Sequence, residues 1–148
     1  MLHDLARLYS PERILDECTQ RGIVPTRFER KNPVVLHATL GAALAAELFG
    51  VLDSEILSAI AKHTVGAATM STLDCVVYLA DGLEPERVFP GRADLACLAE
   101  SDLRAAMRGM LAASMRFYKQ KGIAVAPQTF EAARTFGLSA GTLEVRTA

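Results

Sequence analysis

Five candidate metal ligands stand out between residues 3 and 81 of this sequence. They are imidazoles and carboxylates, namely His3, Asp4, His37, His63 and Asp81. The chain has three histidines in all, so every imidazole that it contains belongs to this set. Imidazole nitrogens combined with carboxylate oxygens suit iron, manganese or zinc. Because a bound metal polarises phosphoryl groups and activates water, these residues indicate metal-assisted hydrolysis.

Three of these residues fall on the apolar stripes of predicted helices. A buried carboxylate is costly unless it is paired, hydrogen-bonded or bound to a metal, so such positions favour a functional role. The sequence has no HExxH helix, no P-loop and no GxSxG turn, which leaves metal-assisted hydrolysis with the best support. The stripes comprise His37, Gly41, Leu44 and Leu48, then Ile56, Ile60 and His63, and then Leu73, Val77, Ala80 and Asp81.

The elements that position these side chains are predicted to be helices. Apolar residues make up 51% of the chain, aromatic residues 6%, and tryptophan is absent, which favours helices over a β-sandwich. Capping residues and glycines mark the helix ends. We predict a helix tail over 1–9, and helices over about 11–20, 33–49, 54–63, 72–84, 92–99, 102–121 and 127–136. The segment with Arg27, Arg30 and Lys31 is predicted to be a solvated loop.

Length and charge limit the classes of function. A chain of 148 residues suits one domain, which we place at residues 1–148. A net charge of −1 argues against binding to a nucleic-acid polymer. The most apolar stretch, 34–52, includes His37 and Glu47, so we expect no membrane span and no membrane partner. With no secretory signal and three separated cysteines, the expected location is the cytoplasm.

Four sequence blocks resemble the HD superfamily, and within it the YqeK-type proteins. The blocks run from Leu2 to Arg7, from Leu36 to Ala38, from His63 to Gly66 and from Tyr78 to Arg87. Their order and spacing also agree with this family, and the similarity extends over nearly the whole chain. The resemblance implies an all-α, HD-domain helical bundle.

The same resemblance implies a hydrolase of acid anhydrides, a symmetrical bis(5'-nucleosyl)-tetraphosphatase. Such an enzyme splits diadenosine tetraphosphate into two ADP, using a metal-bound hydroxide at a two-metal centre. Iron is the favoured metal, with manganese, cobalt and magnesium left open. The expected partner is a dinucleoside polyphosphate or another nucleotide, and a homodimer is also left open.

The resemblance assigns roles by position. Asp4 would bridge both metals, His37 and His63 would hold one of them, and His3 and Asp81 would hold the other. The catalytic residues would be Asp4 and Arg7, with Arg7 at a position where the family more often has lysine. The substrate's phosphates would be contacted by Arg7, Thr64 and Arg87.

In the family, a further histidine on an upstream helix completes the site that His3 and Asp81 share. The present chain is therefore expected to be short at its N-terminus relative to the family. Three alternatives stay open at this point: another HD-type nucleotide phosphohydrolase, a catalytically impaired nucleotide-binding or partner-binding module, and a helical scaffold with buried histidines.

Overall fold

The computed structural model describes residues 2–138, and every regular element within this range is helical. The predicted all-α fold is confirmed. Two 3₁₀ segments cover Leu2–Asp4 and Pro33–Leu36. The α-helices of the described chain are α1 (Pro11–Gln20), α2 (Arg27–Lys31), α3 (His37–Phe49), α4 (Ser54–Lys62), α5 (Thr72–Gly82), α6 (Arg92–Ser101), α7 (Leu103–Lys121) and α8 (Pro127–Thr135).

Side-chain caps fix where these helices begin. The Ser10 hydroxyl accepts the backbone N–H of Arg13 at the start of α1, and Asp53 caps α4 in the same manner. Ser71 and Asp74 form a reciprocal capping box on α5. At the other end of α3, Gly50 takes the left-handed conformation with φ of 65°, which ends the helix.

Three expectations about local structure were wrong. The segment predicted to be a loop around Arg27 forms the exposed helix α2, because Thr26 and Glu29 make a capping box. The first nine residues contain the 3₁₀ turn Leu2–Asp4 and further turns, instead of the end of an α-helix. The buried face of α5 is not the predicted stripe ending at Asp81. It consists of Asp74, Cys75, Tyr78, Leu79 and Gly82.

The described residues divide into two compact units, one that ends at Thr64 and one that begins at Val65. In the first unit, the core is formed by α1, the Pro33–Leu36 segment and α3, and α4 packs against α3. Its buried apolar residues are Ala6, Ile14, Cys18, Leu36, Leu40 and Leu44. This packing holds α3 and α4 side by side, and these helices carry His37 and His63 at or next to their ends.

In the second unit, α7 packs against α5, α6 and α8. The core there is formed by Cys75, Tyr78, Leu79, Leu83, Ala106, Met107, Leu111, Ala132 and Phe136. No helix within residues 2–138 combines the length and apolarity needed to cross a bilayer. The single domain expected over residues 1–148 stays a prediction.

Candidate metal centre

A close approach between the N-terminal segment and α3 places His3 and Asp4 beside His37. A Cβ atom at Gly41 would lie 3.2 Å from the backbone oxygen of His3, which is tighter than an ordinary contact. Gly41 lies one helical turn after His37. The absent side chain therefore lets the Leu2–Asp4 segment rest directly on α3.

Two backbone carbonyls fix the rings of His37 and His63. The Nδ1–H of His37 donates to the carbonyl of Val34, and the Nδ1–H of His63 donates to the carbonyl of Ile60 at 2.7 Å. A carbonyl oxygen can only accept, so the proton of each neutral ring must reside on Nδ1. Both Nε2 atoms therefore present a lone pair, the form in which imidazole binds metals.

The two Nε2 lone pairs converge on a carboxylate oxygen. Nε2 of His37 and Nε2 of His63 are 3.2 Å apart. Oδ1 of Asp4 lies 3.4 Å from the first of these nitrogens and 3.5 Å from the second. Both imidazole side chains are almost fully buried, with 5% and 2% exposure. Two buried imidazole acceptors and the partly exposed carboxylate of Asp4 repel one another unless a positive charge is shared among them.

Burial also keeps His37 neutral. Desolvation lowers the pKa of His37 below its usual 6.5, and the electrostatic influence of the neighbouring His63 and Arg7 side chains lowers it further. The carbonyl of Val34 and the carboxylate of Asp4 oppose this shift without reversing it. At neutral pH the ring therefore carries no charge and keeps its Nε2 lone pair.

His3 brings the third imidazole to the cluster. Its Nε2 lies 3.5 Å from Oδ2 of Asp4, and its ring meets the ring of His63 edge to face with centroids 4.8 Å apart. One ligand atom each from His3, Asp4 and His63 can be chosen such that all lie within 4.8 Å of one another. Asp4 thus has one oxygen facing His37 and His63 and the other facing His3.

This donor set fits a transition metal. Two ligand atoms at right angles on one ion, each about 2.1 Å from it, lie about 3.0 Å apart. The separations of 3.2–3.5 Å among Nε2 of His37, Nε2 of His63 and Oδ1 of Asp4 are close to that value. Mixed imidazole and carboxylate ligands suit iron, manganese or zinc better than calcium or magnesium.

Two predicted substrate-contacting residues also belong to this cluster. The Thr64 hydroxyl lies 3.2 Å from Nε2 of both His37 and His63, and its single proton can serve only one of them. The Arg7 side chain is exposed, and its charge acts on the pKa of His37. The first unit therefore brings together six of the predicted site residues: His3, Asp4, Arg7, His37, His63 and Thr64.

Asp81 and Arg87 belong to the second unit, where they form an ion pair. Nη2 of Arg87 donates to both carboxylate oxygens of Asp81 at 2.9 Å. The Asp81 side chain is 26% exposed and that of Arg87 is 52% exposed. Asp81 lies in the last turn of α5, and Arg87 follows in the turn after it.

Sequence reasoning missed the two carbonyls that orient the imidazoles. In both cases the carbonyl belongs to the residue three positions before the histidine, Val34 for His37 and Ile60 for His63. Ile60 lies in the last turn of α4, where carbonyls have no partner within the helix. A histidine placed at the end of a predicted helix was the signal that could have revealed this bond.

The chain is similar to known proteins over most of its length. The family model for the HD domain matches residues 1–86. A protein of Bacillus subtilis (strain 168) named bis(5'-nucleosyl)-tetraphosphatase, symmetrical, is 37% identical over 130 residues, which cover 88% of this chain and 69% of that protein. A protein of the same name from Halalkalibacterium halodurans is 37% identical over 64% of this chain and 51% of its own length.

A solved structure shows a similar backbone. It is a crystal structure described as a predicted HD superfamily hydrolase involved in NAD metabolism, from Clostridium acetobutylicum, with a TM-score of 0.87 and 32% identity. The match covers 91% of this chain and 71% of that one. The family model for the HD domain matches more than half of this chain. The alignment with the Bacillus subtilis relative covers more than two thirds of both proteins. The chain therefore belongs to the HD domain family.

Proposed function

We propose that this protein hydrolyses dinucleoside polyphosphates and converts diadenosine tetraphosphate into two ADP. The observation that carries the proposal is the convergence of Nε2 of His37, Nε2 of His63 and Oδ1 of Asp4 within 3.5 Å of one another. The names of the relatives from Bacillus subtilis and Halalkalibacterium halodurans support this choice of substrate. In the reaction, a water oxygen bonds to one of the two central phosphorus atoms. The bridging oxygen then leaves with the other ADP.

We propose a centre of two metal ions, with iron favoured over manganese, cobalt or magnesium. His37 and His63 would hold one ion, His3 and Asp81 the other, and Asp4 would bridge them. When bound, such ions supply Lewis-acid polarisation of a phosphoryl group and lower the pKa of water. The chain's own contribution begins with the Nδ1–H bonds to Val34 and Ile60, which hold both imidazoles in the ligating tautomer before anything binds.

The remaining proposed residues act on the substrate's negative charge. Arg7 lies exposed beside the cluster and would offset charge on the polyphosphate, although its planar fork differs from the lysine more usual at this position. The Thr64 hydroxyl can donate one hydrogen bond to a phosphate oxygen once the imidazole nitrogens are engaged. Arg87 would hold a second phosphate while one of its nitrogens stays on Asp81.

We also propose a cytoplasmic location. Cys18, Cys75 and Cys97 form no disulfide, and a reducing compartment keeps thiols in that state.

The test is a product analysis with the purified chain and diadenosine tetraphosphate. Symmetrical cleavage gives ADP as the only nucleotide, whereas ATP together with AMP would show asymmetrical cleavage and overturn the proposal. A matched pair of variants isolates the site: Asp4→Asn should abolish turnover, and Asp16→Asn, an exposed carboxylate on α1, should not change it. Nucleotide binding without any turnover would favour the impaired module instead.

A further inference from the structure

The second unit contains a cavity of about 460 Å³ between the segment that follows α5 and the second half of α7. This volume lies within the range of small-ligand sites. Three aromatic side chains line it, Phe89, Phe117 and Tyr118, and the last two rings meet edge to face with centroids 5.8 Å apart. Flat apolar walls of this kind accept a planar ring by stacking.

The charge of the cavity favours an anion. Its lining includes the guanidinium groups of Arg87 and Arg116 and, among the described residues, no carboxylate. Arg116 is exposed and forms no ion pair with any residue in the range 2–138. Arg87 uses only Nη2 to bind Asp81, so its Nε and Nη1 groups can donate to a second anion.

A neutral amide adds hydrogen-bonding groups to the apolar wall. It belongs to Gln120 and can both donate and accept, whereas the hydroxyl of Ser114, which also lines the cavity, is already hydrogen-bonded to Tyr78. An amide beside aromatic rings matches the mixed donor and acceptor edge of a nucleobase. The combination of stacking surface, polar edge and two cations is the chemistry that recognises a nucleotide.

A second cavity of the same unit is less suitable. It measures about 400 Å³ and is lined by Arg104 and Phe136 among others. Nη2 of Arg104 donates to the carbonyl of Thr135 at 2.7 Å, and its guanidinium lies over the ring of Phe136. The arginine and the aromatic ring of this second cavity therefore already contact each other and are less accessible to a ligand.

We propose that the cavity lined by Phe117 and Arg116 is a nucleoside phosphate subsite. The base packs against Phe117 and Tyr118, and the phosphates are held by Arg116 and by the outer nitrogens of Arg87. That a nucleotide binds here does not depend on the function proposed above. That this nucleotide is one adenosine half of the substrate does rest on that proposed function.

The test is calorimetric titration of the purified full chain with ADP and, separately, with inorganic pyrophosphate. Replacing Phe117 by alanine should weaken ADP binding about tenfold, the effect of losing one base stack, and leave pyrophosphate binding unchanged. Arg116→Ala should weaken the binding of both ligands, because the guanidinium contacts phosphate. The control is Arg108→Ala, an exposed arginine of α7 outside the cavity, which should change neither.

A conservative variant guards against a folding defect. Phe117 is 50% exposed, so Phe117→Leu keeps apolar volume and the melting temperature while removing the stacking surface. Unchanged ADP affinity in Phe117→Leu and Arg116→Ala would refute the subsite, even in a chain that hydrolyses diadenosine tetraphosphate. Lost ADP affinity in a chain that hydrolyses nothing would support the subsite and refute only the proposed activity.

Discussion

The Nε2 atoms of His37 and His63 face each other at 3.2 Å, and neither carries the proton that could join them. The reason is local, because each ring has committed its Nδ1 proton to a carbonyl three residues earlier. Asp4 then adds an acceptor oxygen instead of a donor to this pair. The fold thus holds three hydrogen-bond acceptors close together. A bound cation would stabilise this arrangement, and the acceptors repel one another without it.

The first prediction concerns metal binding. His63→Ala should remove the metal held at this cluster, because a buried ligand at the end of α4 has no substitute among its neighbours. The measurement is metal content by elemental analysis after loading with ferrous iron. As a control, Ile60→Ala leaves a buried cavity on the same helix and should cost about 2–5 kcal/mol of stability while retaining metal. Equal metal content in the His63→Ala protein and the unmodified chain would contradict the assignment.

Helix ends could be predicted from the sequence because short-range chemistry sets them. Ser10, Asp53 and Ser71 cap their helices, and Gly50 and Gly122 end theirs. Even the missed helix α2 has a local signal, the Thr26 and Glu29 capping box, which the neighbouring charges of Arg27, Arg30 and Lys31 concealed. Caps depend on three or four adjacent residues, so no tertiary information is needed to find them.

The buried face of α5 could not be read from its sequence. Nearly every position from Leu73 to Leu79 is apolar, so a periodic pattern selects no single face. The burial of Asp74 is decided by its capping box with Ser71 and by the contacts of α7 with α5. Likewise, the residue types of the site were visible in the sequence, but the 3.2 Å meeting of two imidazoles depends on how α3 packs against α4.

The second prediction concerns substrate affinity. Arg87→Ala should lower kcat/KM for diadenosine tetraphosphate about tenfold to hundredfold, because a charge-assisted hydrogen bond to phosphate is lost. Metal content should stay the same, since Arg87 is not itself one of the proposed ligands. Arg87→Lys should recover only part of the loss, because an ammonium cannot hold Asp81 and a phosphate through one planar fork. A fall in metal content that equals the fall in activity would assign Arg87 a role in maintaining Asp81 instead.

The third prediction concerns alkaline pH. Burial raises the pKa of Tyr78 well above its usual 10, with a smaller opposing effect from its hydrogen bond to Ser114. The unfolded chain therefore releases this proton near pH 10 while the folded chain keeps it, so stability is full below pH 10 and falls as the pH rises above it. Melting curves between pH 9 and about 11.5 should show this loss. Tyr78→Phe should reduce the slope, whereas Tyr9→Phe, at a partly buried position, should leave most of it in place.

The last prediction separates the geometry of the site from the stability of the fold. In Gly41→Ala, the new Cβ would lie 3.2 Å from the backbone oxygen of His3, so the Leu2–Asp4 segment must move by a few tenths of an ångström. Alanine in place of glycine within a helix stabilises α3 by up to about 1 kcal/mol, which offsets the cost of the contact. We therefore expect an almost unchanged melting temperature and an iron affinity lowered about tenfold, because His3 and Asp4 move away from His63.

The matched control for this variant is Gly109→Ala in α7. There the added Cβ would overlap a methyl group of Leu95, so the Leu95 side chain must move. This variant should leave iron affinity unchanged, because Gly109 lies outside the metal cluster, whereas Gly41→Ala should lower it. Melting curves of the metal-free proteins and iron titrations of both variants provide the measurements. If Gly41→Ala binds iron as tightly as the unmodified chain, then the contact between Gly41 and His3 does not set the position of the ligands, and the packing of α4 against α3 must be sufficient to form the site.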